Sequence, residues 1–509
     1  MEKKHVVIIG AGPGGLTAAM LLAHRGFKVT ICEKDTVVGG RNAPIKLGAY
    51  TFDTGPTFLM MNFILEEMFA ETGRKASDYL KFTRLDPMYR LKFNDVEIFT
   101  RDNLHTKEMQ HEINEKFPGN NEGFEKFNKA EKKRFEKVFP CLQKDYSSFS
   151  AFFGKEFINS LPYLALNRSL FENLGKYFKD DKLKLSFTFQ AKYLGMSPWE
   201  CPAAFTIIPH IEHEYGIYHV EGGLNKISEA MAKVVEEEGG NIRLASKVKR
   251  LIIENKKVKG IELETGEKIM ADEVVINEDF AHAMTHTAEN KIPKYTDKKL
   301  KKKKFSCSTF MIYLGVKKKY DLPHHNVFFS NDYRKYVENI FKDFKLNEDV
   351  SFYIQNASPT DATLAPEGKS ALYILVPVAN NMSGIDWDKI KNEFRNVVMK
   401  KIKEKSEFKD LEENIEVEKI ITPLDWEREK NVYLGATFNL GHKLTQMLYF
   451  RPHNKFETLE NCWLTGGGTH PGSGLPTIYE SGRISANLMC KKYGIKYITP
   501  SSLAEKRDG

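Results

Sequence analysis

Residues 5–9 (HVVII) form an unbroken run of apolar, mostly branched side chains, the mark of a strand buried on both faces. Glycines follow, then apolar residues at helical spacing over 14–26, then a second apolar run, VTICE, at 29–33. The pattern predicts strand, turn, helix and strand within about thirty residues. From about 61 to 215 the spacing reads as mostly helical, in a stretch rich in Phe and Lys. An α/β rhythm returns over 219–279: a helix in GGLNKISEAMAKVVEEEGG, strand segments in IRLASKVKRLIIE, and a hairpin turning at Thr265-Gly266 before another buried strand. Strands and helices mix from about 290 to 450. Near the end NCWLTGGG predicts a strand running into a glycine turn, with a helix starting near Ile478.

Composition changes this picture little. The chain is 41% hydrophobic and 28% charged, an ordinary globular balance that leaves disorder to the termini. A net charge of +8 over 509 residues is modest and predicts a slightly basic surface. The six cysteines are scattered, with no C-x-x-C pair. That argues against a zinc site or a disulfide framework and for reduced thiols in the cytoplasm. The apolar run Val6–Ala23 is too short and too rich in glycine for a comfortable membrane span, so a soluble or peripheral protein is expected.

The chemistry enters through glycine. Gly10, Gly12 and Gly15, with Pro13 and Gly14 between them, make G-x-G-x-x-G between a strand and a helix. The first glycine allows a tight turn, the second admits a pyrophosphate to the backbone, and the third lets helix and strand pack closely. Glu33, at the end of the second strand, is placed to accept hydrogen bonds from ribose hydroxyls. Gly39-Gly40-Arg41 follows; such a second glycine pair recurs in flavoproteins that extend this fold, and it points to FAD rather than NAD. Arg41 can make charge-assisted hydrogen bonds to phosphate. Phe52-Asp53-Thr54-Gly55-Pro56 reads as a rigid turn, beside a flavin ring or simply structural. At the other end LTGGGTHPGSGLP (464–476) offers Gly466, Gly467 and Gly468 as backbone that can lie against a flat ring. The following helix offers the positive end of its dipole.

These motifs, with IIPHIEHEYGIYHVEGG (207–223), TPLDWERE (422–429) and YFRPHN (449–454), resemble the bacterial-type phytoene desaturase family over nearly the whole chain. TIYESGRIS after the tail glycines is more polar than an apolar tunnel would suggest. The resemblance implies an α/β fold: a Rossmann-like FAD-binding domain of the amine-oxidase type, an inserted mixed α+β substrate domain and a helical membrane-facing region. It divides the chain into an FAD domain built from 1–70, 219–290 and 455–495, a helical region at 71–218, a substrate domain at 291–454 and a flexible tail at 496–509. It assigns Gly10, Gly12, Pro13, Gly14, Gly15, Glu33, Lys34, Gly39, Gly40, Arg41, Gly55, Pro56, Val248, Gly467, Gly468, Gly474, Leu475 and Pro476 to FAD, with no metal. Glu212 is the candidate base, or else one half of an ion pair with Arg451 or His210. Arg451 lines the tunnel or orders a strand, and His470 sits near the ring.

The function implied is FAD-dependent desaturation of a long apolar polyene such as phytoene or diapophytoene, with a quinone or oxygen as electron acceptor. A polyene isomerase, a saturase, an amine oxidase and a prenyl-lipid carrier like the GDP dissociation inhibitors share the architecture. Glu33 with Gly39-Gly40-Arg41 argues against the carrier. Such a substrate lives in a bilayer, so docking on the inner face of the cell membrane is expected. Residues 150–178 (SAFFGKEFINSLPYLALNRSLFENLGKYF) and the lysine run 298–304 are the candidate contacts. The lysine run lacks the interleaved aromatics of a nucleic-acid patch, and no nucleic-acid partner is expected.

Overall fold

The run at His5–Ile9 becomes the central strand of a parallel sheet, which is why it is apolar without alternation. The strand order is Cys462–Leu464, Glu273–Ile276, His5–Ile9, Lys28–Cys32 and Asn241–Arg243, so both chain ends and the middle meet in one sheet. This computed structural model describes residues 3–500, the side chains at 121, 192 and 193 excepted. The tail expected to be flexible at 496–509 lies, from 501 onward, outside the described residues.

Helix Pro13–His24 packs between helices Asn225–Glu237 and Leu475–Tyr493. The contact with the last helix needs glycine: a Cβ on Gly482 would stand 2.6 Å from the Gly14 carbonyl oxygen. That helix starts at Leu475 rather than near Ile478, because Pro476 carries a helical φ in its first turn. The expected hairpin is present, with Lys257–Leu263 pairing antiparallel to Lys268–Met270 around Gly266.

A second sheet has seven strands: Ile415–Ile421, Ser308–Val316, Ser370–Val378, Phe352–Asn356, His325–Phe328, Tyr89–Lys92 and Glu97–Thr100. Its strands alternate by period two. Phe310 packs on Trp387 and Phe394 of helix Trp387–Lys405, while Thr309 and Met311 face a cavity on the other side. The reading of 61–215 as mostly helical holds, with the last two strands of this sheet and Phe82–Arg84 as short interruptions. Tyr89–Lys92 and Glu97–Thr100 make a short local hairpin, while Tyr89–Lys92 and Phe82–Arg84 also pair with strands far along the chain, and all three are too short to show a clear period. Residues 150–178 are not long helices. They fold as short turns at Phe149–Phe153, Lys155–Ser160, Leu161–Tyr163 and Leu170–Leu174, with Gly154, Pro162 and the capping Ser169 interrupting them.

Candidate active site

The glycine turns from the two chain ends touch. Gly10 has φ of +94°, open to glycine at little cost, and its carbonyl accepts a hydrogen bond from Asn277 Nδ2 at 3.0 Å. Asn277 Oδ1 in turn accepts from Thr465 Oγ1 at 3.0 Å, so one side chain ties the first turn to the last strand. A Cβ on Gly14 would lie 3.1 Å from the Gly466 nitrogen. Asn277 stands just past the buried strand Glu273–Ile276; its only sequence signal is a polar residue at the end of an apolar run.

Around this junction runs one cavity of about 540 Å³. Gly10, Gly12, Pro13, Gly14, Glu33, Lys34, Gly40, Arg41, Gly55, Pro56, Val248, Gly467, Gly474, Leu475 and Pro476 all line it. Gly15, Gly39 and Gly468 do not. A Cβ on Gly15 would stand 2.4 Å from the Gly10 oxygen, one on Gly39 2.8 Å from the Ala43 nitrogen, and one on Gly468 2.5 Å from Phe280 Cβ. These three permit close backbone packing behind the wall.

Charge is concentrated at the glycine end. Glu33 accepts from Ala11 N at 2.7 Å and from Asp35 N at 2.9 Å, while burial holds its carboxyl above the usual range. Arg41 donates to the Thr437 carbonyl at 3.0 Å and lies 3.8 Å from Asp279. Asn439, with its amide turned to satisfy both neighbours, donates to Asp279 at 2.6 Å and accepts from Arg41 at 3.2 Å. Glu278 accepts from Thr287 Oγ1 at 2.6 Å, and burial, with Glu33 and Asp279 nearby, pushes it up to about 7. The Thr54-Gly55-Pro56 turn is clamped from the large sheet: Tyr313 donates to the Thr54 carbonyl at 2.6 Å and Tyr373 to that of Gly55 at 2.8 Å. It is both a cavity wall and a fixed structural corner.

From there the cavity turns apolar. Ile207, Ile208 and Ile211 of helix Ile207–Tyr215 face Met311 and Leu375 of the sheet, with Phe189 beside them. Among its lining here, Leu166 is 52% exposed and Leu444 43% exposed.

The candidate catalytic residues fall behind this wall. Glu212 is fully buried, one helical step round from Ile211, and accepts from Tyr89 OH at 2.9 Å and Gln190 Nε2 at 2.7 Å. It does not line the cavity. His210 lies 3.2 Å from Asn128 Oδ1. Arg451 is buried against four carbonyls: Gly467 at 2.6 Å, Thr469 at 3.1 Å, Gln446 at 3.2 Å and Leu440 at 3.3 Å. It therefore pins the tail glycine loop rather than lining a tunnel, and burial lowers its guanidinium to about 9. His470 turns its ring toward Tyr146, 5.1 Å away between centroids, and burial lowers it to about 3. One cavity histidine escaped the sequence reading: His442 Nε2 accepts from Ser473 N at 3.1 Å and so props the tail loop.

Residues 13–490 match the family of flavin containing amine oxidoreductases. The 4,4'-diapophytoene desaturase (4,4'-diapolycopene-forming) of a Methylomonas species is 53% identical over 97% of this chain and 96% of its own. The all-trans-zeta-carotene desaturase of Myxococcus xanthus is 35% identical over 96% and 94%. Among solved structures, cyclohexylamine oxidase from Brevibacterium oxydans superposes with a TM-score of 0.61 at 13% identity, covering 97% of this chain and 100% of that one, a likeness of fold alone. The chain belongs to the flavin containing amine oxidoreductases and, within them, to the bacterial-type phytoene desaturases.

Proposed function

We propose that this FAD-dependent oxidoreductase desaturates a long apolar polyene of the diapophytoene or phytoene type. One observation carries the reading: a single cavity joins the double glycine turn and its charged rim to an apolar bore that opens at the surface. The residues fit a dinucleotide with a flat ring. Backbone alone forms the floor at Gly10, Gly12 and Gly14, with Glu33 and Arg41 at the rim.

When bound, FAD supplies a hydride acceptor, which no side chain can replace because the hydrogens of a CH2–CH2 unit between isolated double bonds are not acidic. The chain's own groups position and exclude. The N-terminus of helix Pro13–His24 and Arg41 receive phosphate, and Glu33 receives ribose. Arg451 and His442 hold the Gly466–Gly474 loop flat from behind. Ile208, Ile211 and Phe189 keep the hydrocarbon in register and water out. Loss of an allylic hydride leaves a delocalised cation in the substrate, whose neighbouring C–H is then strongly acidic.

We also propose that the rim of the bore rests on a bilayer. Phe149, Phe153, Ile158, Leu161 and Leu166 are exposed beside Leu444 and Phe450, and Phe149 touches Tyr449 at 5.7 Å between ring centroids. Lys304, whose backbone bonds Gln446, brings the lysine run to the same edge. No helix among the described residues is long and apolar enough to cross a membrane. A quinone dissolved in the same bilayer, or oxygen, is the expected electron acceptor.

Expression in cells that accumulate C30 diapophytoene, and separately in cells that accumulate C40 phytoene, tests the reading. Yellow to red pigment is expected in the C30 background, given the nearest chemistry among the relatives described. Unchanged substrate in both rejects it, unchanged mass with altered geometry favours an isomerase, and a gain of hydrogen favours a saturase.

A further inference from the structure

We propose that the proton lost from the substrate leaves the bore through a buried hydroxyl–imidazole chain, from Tyr353 to His325 to His324, that ends at the exposed Thr360. The inference rests on the desaturation reading above. That reaction deposits a proton in an apolar bore, and the proton has to reach water.

Most hydroxyls on the cavity wall whose partners are known lead nowhere. Tyr373 donates to the Gly55 carbonyl, and Thr309 accepts from Trp426 Nε1 at 3.0 Å. Tyr353 differs. Tyr353 lines the cavity wall, and its hydroxyl lies 3.0 Å from Thr57 Oγ1 and 2.7 Å from His325 Nδ1, so a base stands beside it. Phe58 stacks on the His325 ring at 4.0 Å and 14°, which fixes the imidazole with Nδ1 toward Tyr353. His325 Nε2 has no hydrogen-bond partner among the described residues, although the residue is fully buried. His324 follows, its ring centroid 4.4 Å away. His324 Nδ1 lies 3.1 Å from Thr360 Oγ1, and Thr360 is exposed.

A third imidazole and a buried carboxylate flank the pair. His219 packs 4.8 Å from His324 between ring centroids and lies 2.8 Å from the buried Asp361 carboxylate. Gln355 Nε2 is 3.3 Å from His324 Nε2, and Asp53 lies on the same side. Burial keeps His324 and His325 neutral at rest, so each has a lone pair to offer. Adjacent buried imidazoles cost stability in a packed core unless their polar atoms are used.

The step balances. The substrate C–H bond beside the cation breaks and its electron pair becomes the new C=C bond. The proton bonds to the Tyr353 oxygen as that residue's own proton passes to His325 Nδ1. The imidazolium releases its Nε2 proton to His324, and His324 releases one through Thr360 to water.

The test mixes purified FAD-loaded protein, without oxygen, with diapophytoene in phosphatidylcholine vesicles and follows flavin bleaching and polyene absorbance in water and in deuterium oxide. Wild type is expected to show a normal solvent isotope effect on polyene formation. Tyr353→Phe, which removes one oxygen, is expected to bind FAD normally, to form product at least about tenfold more slowly and to lose the isotope effect. His325→Asn is expected to behave alike; should it fail to fold, Tyr353→Phe decides. Separately, 15N NMR of the substrate-free protein should find His325 as the Nε2–H tautomer, since Tyr353 donates to Nδ1. A wild type that bleaches on the polyene while Tyr353→Phe matches it in rate and isotope effect overturns the relay alone, as does an Nδ1–H tautomer. A wild type that never bleaches overturns the desaturation reading and the relay with it.

Discussion

Gly14 stands where turns from opposite ends of the chain touch, with the Gly466 nitrogen and Ile478 Cγ2 each 3.1 Å from where its Cβ would be. A valine there wedges the turns apart. Gly14→Val should weaken FAD binding by about ten- to a hundredfold, the equivalent of an overpacking cost of about 1–3 kcal/mol; fluorescence titration with FAD measures it, and an unchanged Kd contradicts it. Arg451 is legible as an unusual residue in YFRPHN, but its role is not, because its partners are main-chain carbonyls from two loops that sequence spacing does not bring together. Arg451→Ala strands those carbonyls and should cost about 2–4 kcal/mol, seen as a lower denaturation midpoint and weaker FAD retention. Glu278 makes a pH prediction. Its native value of about 7 lies above its ordinary 4.5, so between those values the native state holds a proton that the unfolded chain has released. Stability of the FAD-stripped protein should therefore fall as pH rises from about 4.5 to 7, by about 3 kcal/mol, and stay lower above that range. Glu278→Gln should flatten the slope; an identical slope in the variant contradicts the assignment. The glycine motifs were readable because each demand is local: a positive φ, a missing Cβ. Glu212 was not, since which face of helix Ile207–Tyr215 meets the cavity is set by Met311 and Leu375 from another part of the chain.

At the scale of elements, the strand–helix–strand opening and the hairpin at Gly266 follow from periodicity alone. The strands at Tyr89–Lys92 and Glu97–Thr100 do not, because their stability comes from a sheet whose other members lie more than two hundred residues on. The turns at 149–166 show how an apolar and basic stretch can fold in a shape its composition does not predict. It reads as interfacial helix, yet its aromatics are presented by short turns around the mouth of the bore. Phe153 is 71% exposed and Phe450 55%, and each such ring buried in lipid is worth about 1.5–3 kcal/mol. Replacing both with Ser should cut sedimentation with anionic vesicles at least tenfold while leaving FAD content unchanged; equal sedimentation would remove this edge as the docking surface.

The whole molecule solves one problem of access. The cavity wall carries Glu33, Lys34, Arg41 and Lys247 beside the glycine turns, and apolar side chains, with the exposed Leu166 and Leu444, along the rest. The parallel sheet places the glycine turns at the carboxyl ends of its strands, the usual position of a ligand crevice in open α/β sheets. The seven-stranded sheet closes the far side with Thr309, Met311, Tyr353 and Leu375. None of that second layer is written in a motif, and its order could only be seen folded. If the layout serves desaturation, reduction of the flavin and conjugation of the polyene are one event in one cavity. Anaerobic mixing of the flavin-loaded protein with a single equivalent of diapophytoene in vesicles measures both in the same spectrum. The oxidised flavin band should fade as the longer-wavelength polyene band grows, in equal molar amounts; a flavin that stays oxidised while the polyene binds unchanged would contradict the account.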